Sequence, residues 1–208
     1  MQRQVRTTPR KRPRQARSRA TVDSVLQATA RVLVKRGFDG LTTNLVAETA
    51  GVSVGSLYQY FPNKEALVGA LIEKHVDEMT SLCLAELTRV ANLPVGEAIR
   101  SVVELMIRTH AMNPELHRVL SEQVPRVGRM AKLREIETLV QRMVAGLLAS
   151  RQAELAIDDP EMTAFVLVSA IEAITYRAAL LFPELLRDPR LVDETCTMVR
   201  RYLGVAEG

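Results

Sequence analysis

Tryptophan is absent, cysteine occurs twice, histidine three times, and only 4% of the residues are aromatic. Leu, Ala, Val, Glu and Arg dominate instead, which favours helices over a β-sandwich or barrel. Cys83 and Cys196 are too few for a disulfide framework, and no Cys-His spacing resembles a zinc site. Two reduced thiols in a reducing compartment are expected. No histidine has a Glu three residues before it, which removes the helical-bundle di-iron signature. There is also no Gly-x-Ser-x-Gly and no phosphate-cradling glycine loop. The acidic run Asp158-Asp159-Pro160-Glu161 reads as a helix N-cap followed by Pro, not as a metal cluster. An enzyme is therefore not expected, and neither is a cofactor or a metal ion.

Long uncharged apolar runs are missing as well. The most apolar stretch, 162–181, contains Glu172 and Arg177 and reads as a helix buried against several neighbours, not a membrane span. The polar, basic N-terminus lacks the apolar core of a secretory signal, so a cytoplasmic protein without membrane contact is expected.

What is present is a chain of 208 residues, 47% hydrophobic and 25% charged, the balance of a globular protein of one domain or two small ones. Its net charge of +4 conceals an uneven distribution. Residues 1–20 carry eight Arg or Lys and no acid; residues 21–64 sum to +1 and residues 65–208 to −5. Positive potential at one end points to a polyanion meeting that end, the alternative being a solubilising tail. Pro9 and Pro13 argue against a helix there, so 1–17 is expected to be an extended arm.

Helical periodicity runs through nearly all the rest. A first helix is predicted over 18–36, with Val22, Val25, Leu26, Thr29 and Leu33 on one face and Gly37 as its stop. Two short helices follow at about 43–50 and 54–60, around Gly51. Asn63 is the expected N-cap of a long helix whose core stripe includes Leu67, Leu71, Met79, Leu82 and Leu87. Pro94, Asn113-Pro114, Pro125, Asp159-Pro160 and Asp188-Pro189 each read as a helix opening. The predicted fold is all-α with about nine helices: a helix-turn-helix domain over 18–64 and a larger helical bundle over 65–208.

The stretch 41–61 carries the chemistry. Two short helices crossing steeply need a small residue where their backbones approach, and Ala47 suits it. They also need a left-handed turn residue, which Gly51 supplies. Val46, Ala50, Val52 and Leu57 are spaced to fill the angle, with Thr43 and Ser53 as N-caps. This is helix-turn-helix spacing, although any small helical domain offers a Gly between two apolar stripes. The outward residues of the second helix, Val54, Gly55, Ser56, Tyr58 and Gln59, are small or hydrogen-bonding and include no acid. A helix lying in the DNA major groove requires that. Tyr58, Tyr60 and Phe61 lie closer together than core packing would ask, and tyrosine hydroxyls can donate to phosphate oxygens.

These residues resemble the TetR family of bacterial transcriptional regulators. The matching run is Gly37-Phe38-Asp39-Gly40-Leu41-Thr42-Thr43, Ala47, Ala50-Gly51-Val52-Ser53, Gly55-Ser56-Leu57-Tyr58-Gln59-Tyr60-Phe61 and Asn63-Lys64-Glu65-Ala66-Leu67. It covers roughly 18–67, with Val32-Leu33 departing from the Leu-Phe frequent in the family. The resemblance implies a homodimeric regulator that binds a double-stranded DNA operator and responds to a small-molecule effector, dimerising through the helices 160–181 and 189–203. Repression is expected; activation by the same fold, or non-specific nucleic-acid binding through the basic arm, are the alternatives.

On this basis Thr42, Thr43, Tyr58, Tyr60 and Lys64 are expected at phosphates, and Asn44, Val54, Gly55, Ser56 and Gln59 at base edges beside the cap Ser53. The arm would follow the backbone or enter the minor groove. Met106, His110, His117, Leu120, Met130, Met143, Glu172 and Tyr176 are candidates for an effector pocket, against ordinary core packing for the methionines and surface or hydrogen-bonded roles for the histidines. Ser169, Glu172 and Tyr176 form a polar stripe that lines either a cavity or the dimer contact.

Overall fold

A computed structural model describes residues 7–9, 16–123, 127 and 130–205. Most of the expected arm, with Arg10, Lys11, Arg12 and Arg14, lies outside the described residues, as does the expected helix opening at Pro125. The described residues form nine α-helices and two short 3-10 turns, with no strand. The helices are α1 (Ala16–Gly40), α2 (Thr43–Ala50), α3 (Val54–Tyr60), α4 (Lys64–Val90), α5 (Val95–Met112), α6 (Pro114–Gln123), α7 (Met130–Ser150), α8 (Pro160–Leu181) and α9 (Pro189–Leu203).

Several boundaries follow from local chemistry visible in the sequence. Asp159 accepts hydrogen bonds from the Glu161 and Met162 amides, Asp188 accepts from the Arg190 amide, and Pro follows each as the first helical residue. The Asn63 Oδ1 accepts from the Ala66 amide at 2.8 Å and caps α4. Others moved. At Gly37, the expected stop, the helical dihedrals do break, at φ 67° and ψ −179°, and one further turn continues to Gly40. α7 begins at Met130, and Val127 is a buried turn residue. On α4, Leu67, Leu71 and Leu87 are buried as expected, but Leu82 is exposed.

The chain divides into two compact units, and the division differs from the expected boundary at 64. One gathers residues up to Asp77 together with Glu115–Ala131; the other gathers Glu78–Pro114 and the residues from Lys132 onward. The interior of the first is built from Val25, Leu33, Leu41, Val46, Leu57, Phe61 and Leu67, all essentially inaccessible. In the second, Ile99, Val103 and Ile107 of α5 pack with Leu167 and Ile171 of α8 and with Cys196, Val199 and Leu203 of α9.

α8 is long and apolar enough to cross a membrane by length and composition. Expected as a helix buried against several neighbours, α8 has in the single chain a buried face of Thr163, Ala164, Leu167, Ile171, Thr175 and Ala178 opposed by an exposed one. Met162 is 58% and Phe165 52% exposed, and Val166, Ser169, Glu172 and Ala173 share that exposure.

Within the second unit, Glu86 of α4 accepts from the Arg89 guanidinium at 2.7 Å and from the Ser101 hydroxyl of α5 at 2.5 Å. The Arg89 hydrogen bond, supported by Ser101, holds the Glu86 carboxyl at about 2, below its ordinary 4.5. A carboxyl depressed by folding contributes stability above its unfolded value and loses it as pH falls through its folded value. Urea midpoints of the parent and Glu86→Gln proteins should therefore differ most above pH 4.5 and converge towards pH 2.

Candidate nucleic-acid interface

α2 and α3 are held at their crossing by backbone chemistry. Gly51 adopts φ 68°, and its N–H donates to the Ala47 and Glu48 carbonyls while the Val52 amide donates to Ala47 O at 3.0 Å. A Cβ built at Gly51 meets nothing within 4 Å, so only the backbone conformation demands glycine there. Gly51→Ala should cost about 1–2 kcal/mol in chemical denaturation, and Gly51→Asn less, since Asn tolerates the left-handed region. Ala47 is fully buried beside this turn.

The caps are partly reassigned. Ser53 caps α3 as expected, accepting from the Ser56 amide at 3.1 Å. The cap of α2 is Thr42 and not Thr43: Thr42 is extended at φ −128°, and its Oγ1 accepts from the Leu45 amide at 3.2 Å. Thr43, one residue into the helix, points elsewhere. Its hydroxyl lies 3.0 Å from the Tyr58 hydroxyl of α3. Two residues expected at phosphates are thus brought together from separate helices, 15 positions apart in sequence.

On the same two helices Thr42, Asn44, Ser53, Val54, Gly55, Tyr58 and Gln59 are exposed, while Thr43, Ser56 and Tyr60 are partly so. Between them lie the buried Val46, Ala47 and Leu57, which anchor the pair to the core, with Phe61 closing α3. No carboxylate belongs to α3. The face presents hydroxyls, amides and one branched methyl pair to solvent, a set able to meet phosphate oxygens and base edges. Lys64 is the first residue of α4. Its ammonium donates to the Phe38 carbonyl at 3.1 Å and lies 4.5 Å from the centre of the Phe38 ring. A main-chain carbonyl carries no sequence signature, so this partner was not legible beforehand.

The expected effector residues fall in both units. Leu120 is buried on α6 in the first unit, and the His117 and Met130 side chains lie outside those described. In the second unit His110 is 4% exposed, and its Nδ1 lies 2.8 Å from the Met106 carbonyl oxygen; burial pushes its pKa down. Met106 packs against the core, Met143 and Tyr176 are half-buried, and Glu172 sits on the exposed side of α8. Desolvation, then the nearby Glu137 carboxylate, raises the Glu172 pKa. A cavity of about 320 Å³ is lined by Ala111, Pro114, Pro183, Glu184, Leu186 and Arg187, none of them among the expected residues. Among the described residues no three His, Cys, Asp or Glu side chains are grouped to hold a metal ion.

Comparison with known proteins bears on both halves. Residues 25–71 match the family of bacterial regulatory proteins, tetR family, and residues 94–203 match the tetracyclin repressor-like C-terminal domain. The chain is 25% identical to the uncharacterised HTH-type transcriptional regulator YhgD of Bacillus subtilis over 164 residues, 73% of this chain and 81% of that one. It is 31% identical over 87 residues to the nucleoid occlusion factor SlmA of Haemophilus ducreyi, 42% of each chain. The fold is shared with a TetR-family regulator from Mesorhizobium loti, at a TM-score of 0.74 and 17% identity over 91% of this chain and 98% of that one. A helix-turn-helix held open on its polar face, followed by a matching all-helical C-terminal half, makes this chain a member of the TetR family of transcriptional regulators.

Proposed function

We propose that this regulator is a ligand-responsive repressor that binds a palindromic operator as a homodimer. The observation that carries the reading is the exposed α2–α3 face, where Thr43 and Tyr58 stand 3.0 Å apart on a rigidly capped helix pair. Thr42, Thr43, Tyr58, Tyr60 and Lys64 meet phosphates and fix the register. Asn44, Val54, Gly55, Ser56 and Gln59 meet base edges, Val54 suiting a thymine methyl and Asn44 an adenine. The basic segment 1–17 adds affinity that is sensitive to salt and nearly indifferent to sequence.

The exposed apolar faces of α8 and α9, with Met162, Phe165, Met198 and Tyr202, support dimerisation through these two helices. A dimer places two recognition helices ~34–36 Å apart, matching successive major grooves on one side of DNA. The effector acts from the second unit, with Met106, His110, Met143, Glu172 and Tyr176 as its candidate contacts. It releases DNA only if it binds the mis-spaced dimer more tightly than the operator-competent one. The cellular setting in this reading is the cytoplasm.

Selection of bound sequences from a random DNA pool is the test. A two-fold symmetric consensus with half-sites about one helical turn apart is expected. Binding that random competitor abolishes as readily as the selected site would refute operator recognition.

A further inference from the structure

We infer that the second unit carries a binding site for a small zwitterion with an apolar body, the chemistry of a free apolar amino acid. The site is the cavity of about 320 Å³ between the end of α5 and the segment that joins α8 to α9. It goes beyond the effector contacts proposed above, since none of Met106, His110, Met143, Glu172 and Tyr176 lines it. Binding there involves no DNA and stands apart from the operator reading.

The walls come from two short stretches of this unit. Ala111, in the last turn of α5, and Pro114, which opens α6, are partly buried. Opposite them Pro183–Arg187 forms a 3-10 turn. Its Leu186 is buried in the core of the unit, whereas Pro183, Glu184 and Arg187 are exposed. The floor is therefore apolar and the charges stand at the rim. The turn is tied at both ends, the Phe182 amide donating to the Ala178 carbonyl and the Asp188 amide to the Leu185 carbonyl, each at 3.0 Å. Pro114 and Pro183 each hold a fixed φ, so the walls are set before a ligand arrives and binding costs little ordering. The volume lies at the lower end of the roughly 300–1,000 Å³ of small-molecule sites, so the ligand is small.

The charge pattern selects the class of ligand. Side chains three apart eclipse in a 3-10 turn, so Glu184 and Arg187 project from the same side of it. Glu86 and Arg89, in the same order and at the same spacing on α4, meet at 2.7 Å. Glu184 and Arg187 do not meet, and neither side chain has an ion-pair partner among the described residues. The rim thus offers a free acceptor and a free donor fork to one ligand. A ligand carboxylate accepts from the Arg187 guanidinium, and an ammonium on the same molecule donates to Glu184. A simple acid would set its carboxylate beside Glu184, and a simple amine its ammonium beside Arg187, each a like-charge contact. The apolar body of the zwitterion covers Ala111, Pro114 and Leu186. Its grip falls on a segment bounded by two helix caps, Phe182 of α8 and Asp188 of α9.

Titration calorimetry and amide chemical shifts on the full chain test the site, with L-leucine, L-methionine and L-phenylalanine as probes. At least one should saturate the protein below about 10 mM, with shifts at Ala111, Leu186 and Arg187. The acid and the amine that each keep one charge of that probe (3-phenylpropanoate and 2-phenylethylamine for L-phenylalanine) should bind at least about threefold more weakly. Arg187→Gln should weaken the amino acid and the acid by about three- to tenfold and leave the amine no weaker. Glu184→Gln should do the reverse, weakening the amino acid and the amine. Ala111→Leu fills the floor and should weaken all three; where it unfolds the chain, the two exposed rim variants decide. Failure of all three amino acids to saturate the protein overturns the inference. So does equal binding of amino acid, acid and amine, which is an apolar cavity alone. Shifts confined to residues outside 111–114 and 183–187 overturn it as well, by placing the ligand elsewhere.

Discussion

Phe165→Glu should convert the dimer to a folded monomer and weaken operator binding by roughly 10²–10⁴-fold, the factor lost when two linked sites become independent. Phe165 is half exposed in the single chain, on the face of α8 opposite Leu167 and Ile171, so an acid there is hydrated and the subunit core is untouched. In a dimer through α8 the same carboxylate is desolvated twice, once per subunit, beside the apolar Met162 and Val166. The two states therefore respond in opposite ways. Sedimentation should give the monomer mass with helicity retained, and binding to a single half-site should survive with the affinity of one recognition helix. A dimer of undiminished stability in this variant would place the interface elsewhere. Loss of helicity would show that Phe165 supports the subunit itself.

Gly55→Ala should raise stability by about 0.5–1 kcal/mol while lowering operator affinity by about 1–3 kcal/mol. Glycine inside a helix is normally disfavoured against alanine, and Gly55 has no conformational reason to be there. It is not among the glycines at positive φ, and a Cβ built on it meets only the Ser53 hydroxyl oxygen, at 4.0 Å, an ordinary contact. Nothing inside the protein forbids a side chain at this exposed second position of α3. In the operator-binding reading the reason lies outside the chain, where duplex DNA approaches the helix backbone. Thermal denaturation and operator titration read the two effects separately. A variant more stable and equally tight would remove Gly55 from the interface. A less stable one would point to an intramolecular role.

The contrast between Gly51 and Gly55 shows how much was legible in the sequence. Both stand in the recognised run, but the first is fixed by a left-handed turn that spacing alone demands, while the second is spare until the space around it is known. The caps behave similarly. Asp159-Pro160 and Asp188-Pro189 marked their helices because the chemistry is local, within three residues. Thr42 and Thr43 are identical residues side by side, and only the observed φ of −128° at Thr42 decides which one caps α2. The effector residues depend on more than one helix. A pocket needs side chains from several helices to converge, and periodicity reports which face of one helix is apolar without saying what stands opposite.

The sequence by itself determined the helix-turn-helix, the all-helical class and the concentration of positive charge at one end, because these depend on residue type and on spacing within one or two turns. Tertiary structure decided that Lys64 reaches back 26 positions to a carbonyl, that Thr43 finds Tyr58, and that α8 keeps one face bare. Those outcomes depend on which groups the packed helices bring within 3–4 Å of each other. A backbone carbonyl or an uncovered helix face looks the same in every sequence until its neighbours are in place.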